Sequence, residues 1–194
     1  MAMKCGRRPL LFGTIAALST RVTPASASSR EVAVKSAEAL GDEERQRHER
    51  YMQMAIDVPG GGPPFGAVIV DNDSGNVMCH GRNPGSRNRI YHGEMVAMIN
   101  CGDEHPQLDW SRLTLYTTGE PCPMCMSAII WNRIPKVVYA TSIRKLTNIG
   151  LNQIGLDTPT VAGAAPFYSG EIISGILQNK TDKLFEEWWA SRRR

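Results

Sequence analysis

Three features are scarce in this sequence, and each scarcity excludes a class of protein. No apolar run approaches the roughly 20 residues that a helix needs to cross a membrane, so a permanent membrane span is not expected. Internal repeats and long low-complexity segments are also missing, which argues against a solenoid or a disordered chain. With 42% apolar and 21% charged residues, the 194-residue chain instead suits one globular domain.

A large excess of positive or of negative charge is also missing. The formal net charge is +3, from 22 Lys and Arg residues against 19 Asp and Glu residues. Residues 1–27 hold four of these bases and none of the acids, so the rest of the chain is close to neutral. A domain that binds a nucleic-acid backbone usually has a clear basic surplus, and therefore no large nucleic acid is expected as a partner.

Residues 1–27 have the pattern of an export signal. Arg7 and Arg8 precede the apolar run Leu10–Leu18, and Ala25-Ser26-Ala27 forms a small-x-small cleavage site. Paired arginines before a weakly apolar run are typical of twin-arginine signals. We predict export, to a bacterial periplasm, with a linker over 28–41 and a folded domain over 42–194. A transit peptide and a misassigned start codon are the alternatives.

Hydrophobic periodicity predicts that helices and strands alternate along the folded domain. Apolar residues at helical spacing predict helices, and short β-branched runs between turn residues predict strands. In chain order these are a helix over 42–56, a hairpin of 65–70 and 76–81, a helix over 92–100, a strand over 112–117, a helix over 122–131, strands over 136–140 and 171–176, and a helix over 181–192. A hairpin followed by such alternation predicts an α/β fold with a mixed sheet covered by helices.

Two short sequence patterns contain the candidate metal-binding and catalytic residues. Cys122 and Cys125 share one face of a first helical turn, where the helix dipole stabilises thiolates. With His92 they supply three metal ligands, which leaves the fourth position of a zinc ion to water, as in catalytic sites. Water bound to zinc ionises near neutral pH and becomes a nucleophile. Glu94 is placed to take a proton from that water and to pass it to a leaving nitrogen.

The pattern His92-x-Glu94 with Pro121-Cys122-x-x-Cys125 resembles the zinc nucleobase deaminases of the cytidine/deoxycytidylate deaminase superfamily. Residues 64–70, 81–83 and 117–125 are similar to the bacterial guanine deaminases and tRNA adenosine deaminases. His92-Gly93-Glu94 with Asn100-Cys101-Gly102 is similar to fungal cytosine deaminase. The resemblance extends from about Glu43 to the end, and it implies a three-layer α-β-α fold around a mixed five-stranded sheet.

The resemblance also implies residue roles. His92, Cys122 and Cys125 are expected to bind Zn²⁺, and Glu94 to transfer protons. The residues expected to contact the substrate are Asn83, Gly66, Ala67, Gly93, Trp188 and Trp189. Phe167-Tyr168 and Trp188-Trp189 are candidates to complete the pocket, from the same chain or from a second subunit, because family members are commonly dimers. Asn152-Gln153 departs from the guanine deaminases, which have acidic residues in this loop.

The expected activity is zinc-dependent hydrolytic deamination of a free nucleobase or nucleoside, with release of ammonia. We expect a purine, guanine-like substrate, and a homodimer. Cytosine and tRNA adenosine are the alternatives within the class. An exported Cys-x-x-Cys thiol-disulfide protein is the alternative outside it.

Other interpretations of single residues stay open. A structural zinc site would need a fourth ligand, for which Cys79, His80 and His105 are candidates. Cys79 and Cys101 are expected in the core, as is His48 on the apolar face of the first helix. Asn83 also suits a turn. Arg82, Arg87 and Arg89 form either a phosphate site or a solvated loop.

Overall fold

The computed structural model describes residues 30–85 and 88–193. The predicted signal over 1–27 and Arg87 lie outside the described residues. Within the described ranges, no helix combines the length and the apolar composition needed to span a membrane.

A six-stranded mixed sheet lies at the centre of the domain, with the strand order β1-β6-β5-β4-β2-β3. The strands are β1 (Val34–Ser36), β2 (Gly66–Asp71), β3 (Val77–Arg82), β4 (Leu113–Gly119), β5 (Lys136–Thr141) and β6 (Glu171–Ser174). Strands β1, β6, β5 and β4 are parallel, whereas β2 is antiparallel to both β4 and β3. The predicted α/β fold with a mixed sheet is confirmed.

The sheet differs from the prediction by one strand. Five strands were expected, and β1 is the sixth, inside the segment predicted as a linker over 28–41. It is three residues long and pairs along β6, with Val34 opposite Ile172 and Ser36 opposite Ser174. So short a strand has no detectable alternation, and pairing with β6 at the sheet edge is what orders it.

Helices cover both faces of the sheet. They are α1 (Asp42–Asp57), α2 (Gly93–Glu104), α3 (Pro123–Trp131), α4 (Ile143–Asn148), α5 (Thr158–Gly163) and α6 (Gln178–Ser191). Helices α2 and α3 pack on one face and α1 on the other, while α6 lies beside α1, where Lys180 donates a hydrogen bond to Gln53. The predicted three layers are therefore present. Helices α4 and α5 were not predicted, because six residues are too few to show a helical period.

Strand β2 shows how the two halves of the core divide. All six of its residues are buried, as expected for a central strand covered on both sides. Ala67 and Ile69 join the cluster beneath α2 and α3, and Val68 and Val70 join the cluster beneath α1. Burial of each large aliphatic side chain contributes about 1.5–3 kcal/mol. The sheet is thus held firmly between its two helical layers.

Close packing of α2 on β3 fixes the position of the predicted site. A Cβ atom at Gly81 would lie only 2.2 Å from backbone atoms of Gly93 and Ala97, so glycine is required for this approach. Further along the same contact, a disulfide joins Cys79 to Cys101, with the two Cα atoms 5.4 Å apart. Both cysteines are buried, as predicted for core residues. The sequence did not predict that they are bonded.

Candidate active site

Two helix N-termini meet at the proposed metal ligands. His92 is the N-cap residue of α2, and Cys122 is the N-cap residue of α3. Pro123 occupies the first position of α3, where proline is favoured, and Cys125 follows in the first turn. The positive ends of both helix dipoles therefore point towards this region and favour thiolates and carboxylates there.

The three predicted ligand side chains form a compact triangle. His92 Nδ1 lies 3.5 Å from the sulfur of Cys122 and 3.5 Å from that of Cys125, and the two sulfurs are 3.6 Å apart. Tetrahedral zinc, with bonds of about 2.3 Å to sulfur and about 2.0–2.1 Å to nitrogen, requires ligand atoms about 3.5–3.8 Å apart. The chain thus brings together a donor set that fits zinc and could hold it.

Electrostatics within the triangle favour an anionic sulfur. Hydrogen bonding with Cys125 and with His92 lowers the pKa of Cys122 to about 4, against the desolvation that burial causes. In return, the hydrogen bond with Cys122 raises the pKa of His92. A thiolate is the form in which cysteine binds metal, and the histidine gives up its proton when the metal binds.

Glu94 lies next to the triangle and is almost fully buried, with 5% of its surface exposed. The hydroxyl of Thr117, near the end of β4, donates a hydrogen bond to its Oε1 atom at 3.1 Å. Burial raises the pKa of Glu94 above its ordinary value, because the charged form loses hydration. A carboxyl group with a raised pKa is better suited to accept and release a proton during a reaction.

A cavity of about 250 Å³ opens over these groups. The triangle and Glu94 contribute His92, Cys122 and Glu94 to its lining, so the predicted chemistry faces one space. Its remaining lining consists of the apolar side chains Phe65, Leu151 and Ile154, the amides Asn83, Asn152 and Gln153, and Glu120. Apolar walls with a few polar groups are typical of sites for small organic molecules.

Asn83 lies at the cavity and also makes a turn contact. It lines the cavity, and its Oδ1 atom accepts a hydrogen bond from the backbone N–H of Gly85 at 2.8 Å, as in a turn. The side-chain oxygen is therefore already in use. The amide nitrogen is a donor that Asn83 can offer to a ligand, and the oxygen keeps a second lone pair.

Three other predicted contact residues lie behind the cavity wall. Gly66 donates its backbone N–H to Thr118, and Ala67 is fully buried in the core. Gly93 packs against the backbone of Phe65, and a Cβ atom on it would lie 3.0 Å from the Phe65 carbonyl oxygen, a tight contact. These residues support the wall, and Phe65 forms its surface.

Trp188 and Trp189 also differ from the expectation. Within the described part of the chain they do not line the cavity, but pack with Leu146, Leu151 and Phe185 in a small cluster behind it. Trp189 lies against Gly150, where the close approach of the indole leaves little space. Helix α6 packs with its apolar side against the domain. Both indoles therefore lie against the cluster that contains Leu151.

The sequence did not identify four of the residues that form the cavity wall. No role was assigned to Phe65, Glu120, Leu151 or Ile154, all of which line the cavity. Phe65 and Glu120 lie within the stretches that carried the family resemblance, and this was the signal that could have identified them. Leu151 and Ile154 lie in an aperiodic segment between α4 and α5, from which no pattern could be read.

The alternatives outside the deaminase class are not supported. Cys122 and Cys125 are free thiols, and Cys79, one candidate for a fourth zinc ligand, is bonded to Cys101. Among the described residues, the metal-binding group at this site comprises only His92 and the two cysteines. Arg82 and Arg89 are exposed and do not line the cavity, in line with a solvated loop.

Comparison with known proteins agrees with this site. The profile of the cytidine and deoxycytidylate deaminase zinc-binding region matches residues 45–141, half of the chain. The tRNA-specific adenosine deaminase of Rickettsia felis is 30% identical over 128 residues, which cover 65% of this chain and 85% of that protein. The guanine deaminase of Bacillus subtilis is 31% identical over 133 residues, which cover 62% and 84%.

A solved structure shows the same architecture. It is a variant of the protein NE0047 in complex with 8-azaguanine, 26% identical, with a TM-score of 0.65 over 74% of this chain and 85% of that one. The profile match spans α1 to β5 and includes the triangle and Glu94. The chain therefore belongs to the cytidine and deoxycytidylate deaminase family.

Proposed function

We propose that this deaminase acts on a free purine base or its nucleoside, guanine-like, with His92, Cys122 and Cys125 as zinc ligands and Glu94 as the proton-transfer residue. One observation carries the proposal: the buried Glu94 and two residues of the ligand triangle, His92 and Cys122, line the same small cavity. The reaction would replace an exocyclic amine on the ring by a carbonyl group, with consumption of water and release of ammonia.

The roles follow from the positions of the side chains. Zinc, when bound to the triangle, would supply a water molecule acidic enough to lose a proton near neutral pH. Glu94 would take that proton and deliver it to the ring nitrogen, and would then pass the second proton of the added water to the amine, which leaves as ammonia. Thr117 holds Glu94 in place through its hydrogen bond, so the carboxylate needs no rearrangement during this transfer.

The size and lining of the cavity support a small flat substrate. Its volume of about 250 Å³ is below the roughly 300–1,000 Å³ of typical sites for drug-sized ligands. Phe65 and Leu151 offer apolar surface to a ring, and the three amides offer donors and acceptors to its polar edge. The near-neutral chain beyond residue 27 supports a free base or nucleoside over tRNA adenosine.

Cytosine is an alternative substrate within the class, but two of the residues that suggested it lie away from the cavity. Asn100 donates its side-chain amide to the backbone of His80, and Cys101 is bonded to Cys79. Neither residue lines the cavity. The similarity at 100–102 therefore gives no support to recognition of a pyrimidine ring.

A homodimer remains part of the proposal. Trp131 and Phe167 are 75% and 58% exposed, and their rings contact each other with centroids 5.4 Å apart. Adjacent exposed aromatic side chains of this size are typical of protein–protein interfaces. A second copy of the chain is the partner that we expect on this patch, in keeping with the dimers expected from the family.

Export to the periplasm is also proposed, from the twin-arginine pattern over 1–27. The Cys79–Cys101 disulfide supports it, because structural disulfides persist in oxidising compartments and are rare in the cytosol. N-terminal sequencing of the protein recovered outside the cytoplasm tests this part. A start near Ser28 is expected, and a mature chain that retains Met1 would contradict export.

The activity itself is tested by zinc analysis of the purified protein and by ammonia release across a panel of guanine, adenine, cytosine and their nucleosides. We expect bound zinc and the highest kcat/KM with a purine. Bound zinc with a clear preference for cytosine would favour the alternative substrate. Absence of both zinc and ammonia release would contradict the assignment of the site.

A further inference from the structure

One buried carboxylate holds both ends of a segment that forms part of the cavity wall. Glu120, 6% exposed, accepts a hydrogen bond from the backbone N–H of Ile143 on Oε2 and another from that of Thr158 on Oε1, each at 2.8 Å. These two residues begin α4 and α5. N–H groups in a first helical turn have no acceptor within the helix, so the carboxylate satisfies both.

The segment between these two contacts reaches the cavity. Residues 143–158 contain α4 and the connection to α5, and Leu151, Asn152, Gln153 and Ile154 from its middle line the cavity. Asn152 and Ile154 are exposed, so this part of the wall is not held in place by burial alone. Its position depends strongly on where the two ends of the segment are anchored.

Glu120 is also connected directly to the loop that carries the proposed zinc ligand Cys122. Glu120 lies two residues before Cys122, and its backbone N–H donates to Thr141 at the end of β5. Thr158 connects the segment to the same loop, because its hydroxyl donates a hydrogen bond to the carbonyl of Pro121 at 3.3 Å. Any shift of the segment relative to the metal triangle would therefore have to break contacts of Glu120.

A charged acceptor suits this task. Within the described residues Glu120 makes no salt bridge, so its two backbone donors are the partners that compensate its burial. Hydrogen bonds to a carboxylate are shorter and stronger than those to a neutral oxygen. A glutamine could accept from only one of the two N–H groups and would turn its own NH₂ donor towards the other.

We propose that Glu120 is a positioning residue that holds the 143–158 segment against the ring of the substrate and so sets which ring is accepted. The inference rests on the proposed function, since it assigns ring recognition to the cavity above the metal triangle. Glu120 acts through the wall residues and takes no part in proton transfer, which belongs to Glu94.

The test compares Glu120→Gln with a matched control, Glu186→Gln. Glu186 also contacts the segment, through an ion pair with Lys145, but it is exposed and such pairs contribute little. For Glu120→Gln we expect faster amide hydrogen exchange in residues 143–158. We also expect a rise of about tenfold or more in KM, with kcat changed much less, unchanged zinc content and weaker discrimination between bases. The control should behave as the wild type.

A second variant tests the same role in case Glu120→Gln does not fold. Thr158→Pro removes the N–H that donates to Glu120, together with the hydroxyl that donates to Pro121, and leaves Glu120 in place. Proline is compatible with the first position of α5. Thr158→Pro should raise KM and hydrogen exchange in the same direction. If Glu120→Gln loses its circular dichroism signal, this variant decides the question.

The outcomes separate the two proposals. Wild-type exchange and wild-type KM in a folded Glu120→Gln or Thr158→Pro would overturn the positioning role. Loss of zinc with unchanged KM would also overturn it, because Glu120 would then support the ligand loop and not the wall. If the wild type holds zinc but deaminates none of the bases, the proposed function fails, and the exchange data still report whether Glu120 anchors the segment.

Discussion

Cys79 and Cys101 are joined by a disulfide that fastens β3 to α2, and the stretch of chain it closes carries Asn83, His92 and Glu94. Three residues of the candidate site thus lie within one covalent loop with a sequence separation of 22. The bond restricts the loop in the unfolded chain and, in the folded chain, fastens the C-terminal part of α2 to β3.

Removal of this disulfide is expected to lower the free energy of unfolding. Closure of a loop of this length stabilises by about 3 kcal/mol in the chain-entropy description. Urea denaturation of the wild type and of a Cys79→Ser/Cys101→Ser variant, each with and without a thiol reductant, measures the difference. The reductant should destabilise only the wild type. Equal midpoints in all four samples would show that the bond is not formed in solution.

The metal site is expected to depend on each cysteine of the triangle. Cys125→Ala leaves two ligands, and the affinity for zinc should fall far enough that purified protein carries little metal and shows no activity. Met124→Ala, a change at the neighbouring half-buried residue, is the control and should retain zinc. Metal analysis by mass spectrometry checks both variants. A full complement of zinc in Cys125→Ala would remove Cys125 from the ligand set.

Glu94→Gln should separate metal binding from turnover. Glutamine keeps the size of the side chain but cannot carry a proton between water and substrate, so kcat should fall by about a hundredfold to ten-thousandfold. Zinc content and base affinity should be retained. Glu104→Gln, an exposed position on the same helix, serves as the control. Loss of zinc in Glu94→Gln would indicate that Glu94 is itself a ligand.

Asn83 offers a way to separate a turn from a substrate contact. Asn83→Asp keeps the oxygen that accepts from Gly85 and removes the amide donor, whereas Asn83→Ala removes both. If the donor binds the base, kcat/KM should fall by about 10- to 100-fold in both variants, the usual effect of leaving a buried polar group unpaired. Steady-state kinetics with the best base from the panel decides this. Wild-type kinetics in Asn83→Asp would place base recognition elsewhere.

His48 is expected to make the protein less stable in acid. Burial lowers the pKa of His48 to about 4, and Lys136 and Arg47 add to this effect, while Glu44 and Glu171 oppose it. Its Nδ1 atom pairs with the hydroxyl of Tyr116 at 2.9 Å. Between about pH 6.5 and pH 4, the unfolded chain binds a proton that the folded chain does not. Stability should therefore fall as the pH falls through this range.

The loss amounts to about 3 kcal/mol at most, on the scale of 1.36 kcal/mol per pKa unit. Denaturation curves at pH 7 and pH 4 for the wild type and for His48→Gln isolate it, because the carboxylates titrate alike in both proteins. The variant should show the smaller dependence on pH. Equal dependence would mean that folding does not lower the pKa of His48.

The sequence predicted the elements that have many residues or a repeated period. Helix α1, the β2–β3 hairpin and strands β4 and β5 were all recognisable, because each spans enough residues to show which faces are buried. Strand β1 and helices α4 and α5 were not, since their few residues are ordered by pairing and packing with distant parts of the chain.

The sequence by itself identified the residues proposed for the chemistry. His92 and Glu94 start one helix and Cys122 and Cys125 start another, and local helical geometry sets the spacing within each pair. Only the tertiary structure decided that Cys79 bonds Cys101, that the tryptophans of α6 lie behind the wall, and that Glu120 holds the 143–158 segment. These contacts join residues far apart in the chain, so they depend on sheet order and packing, which no local pattern records.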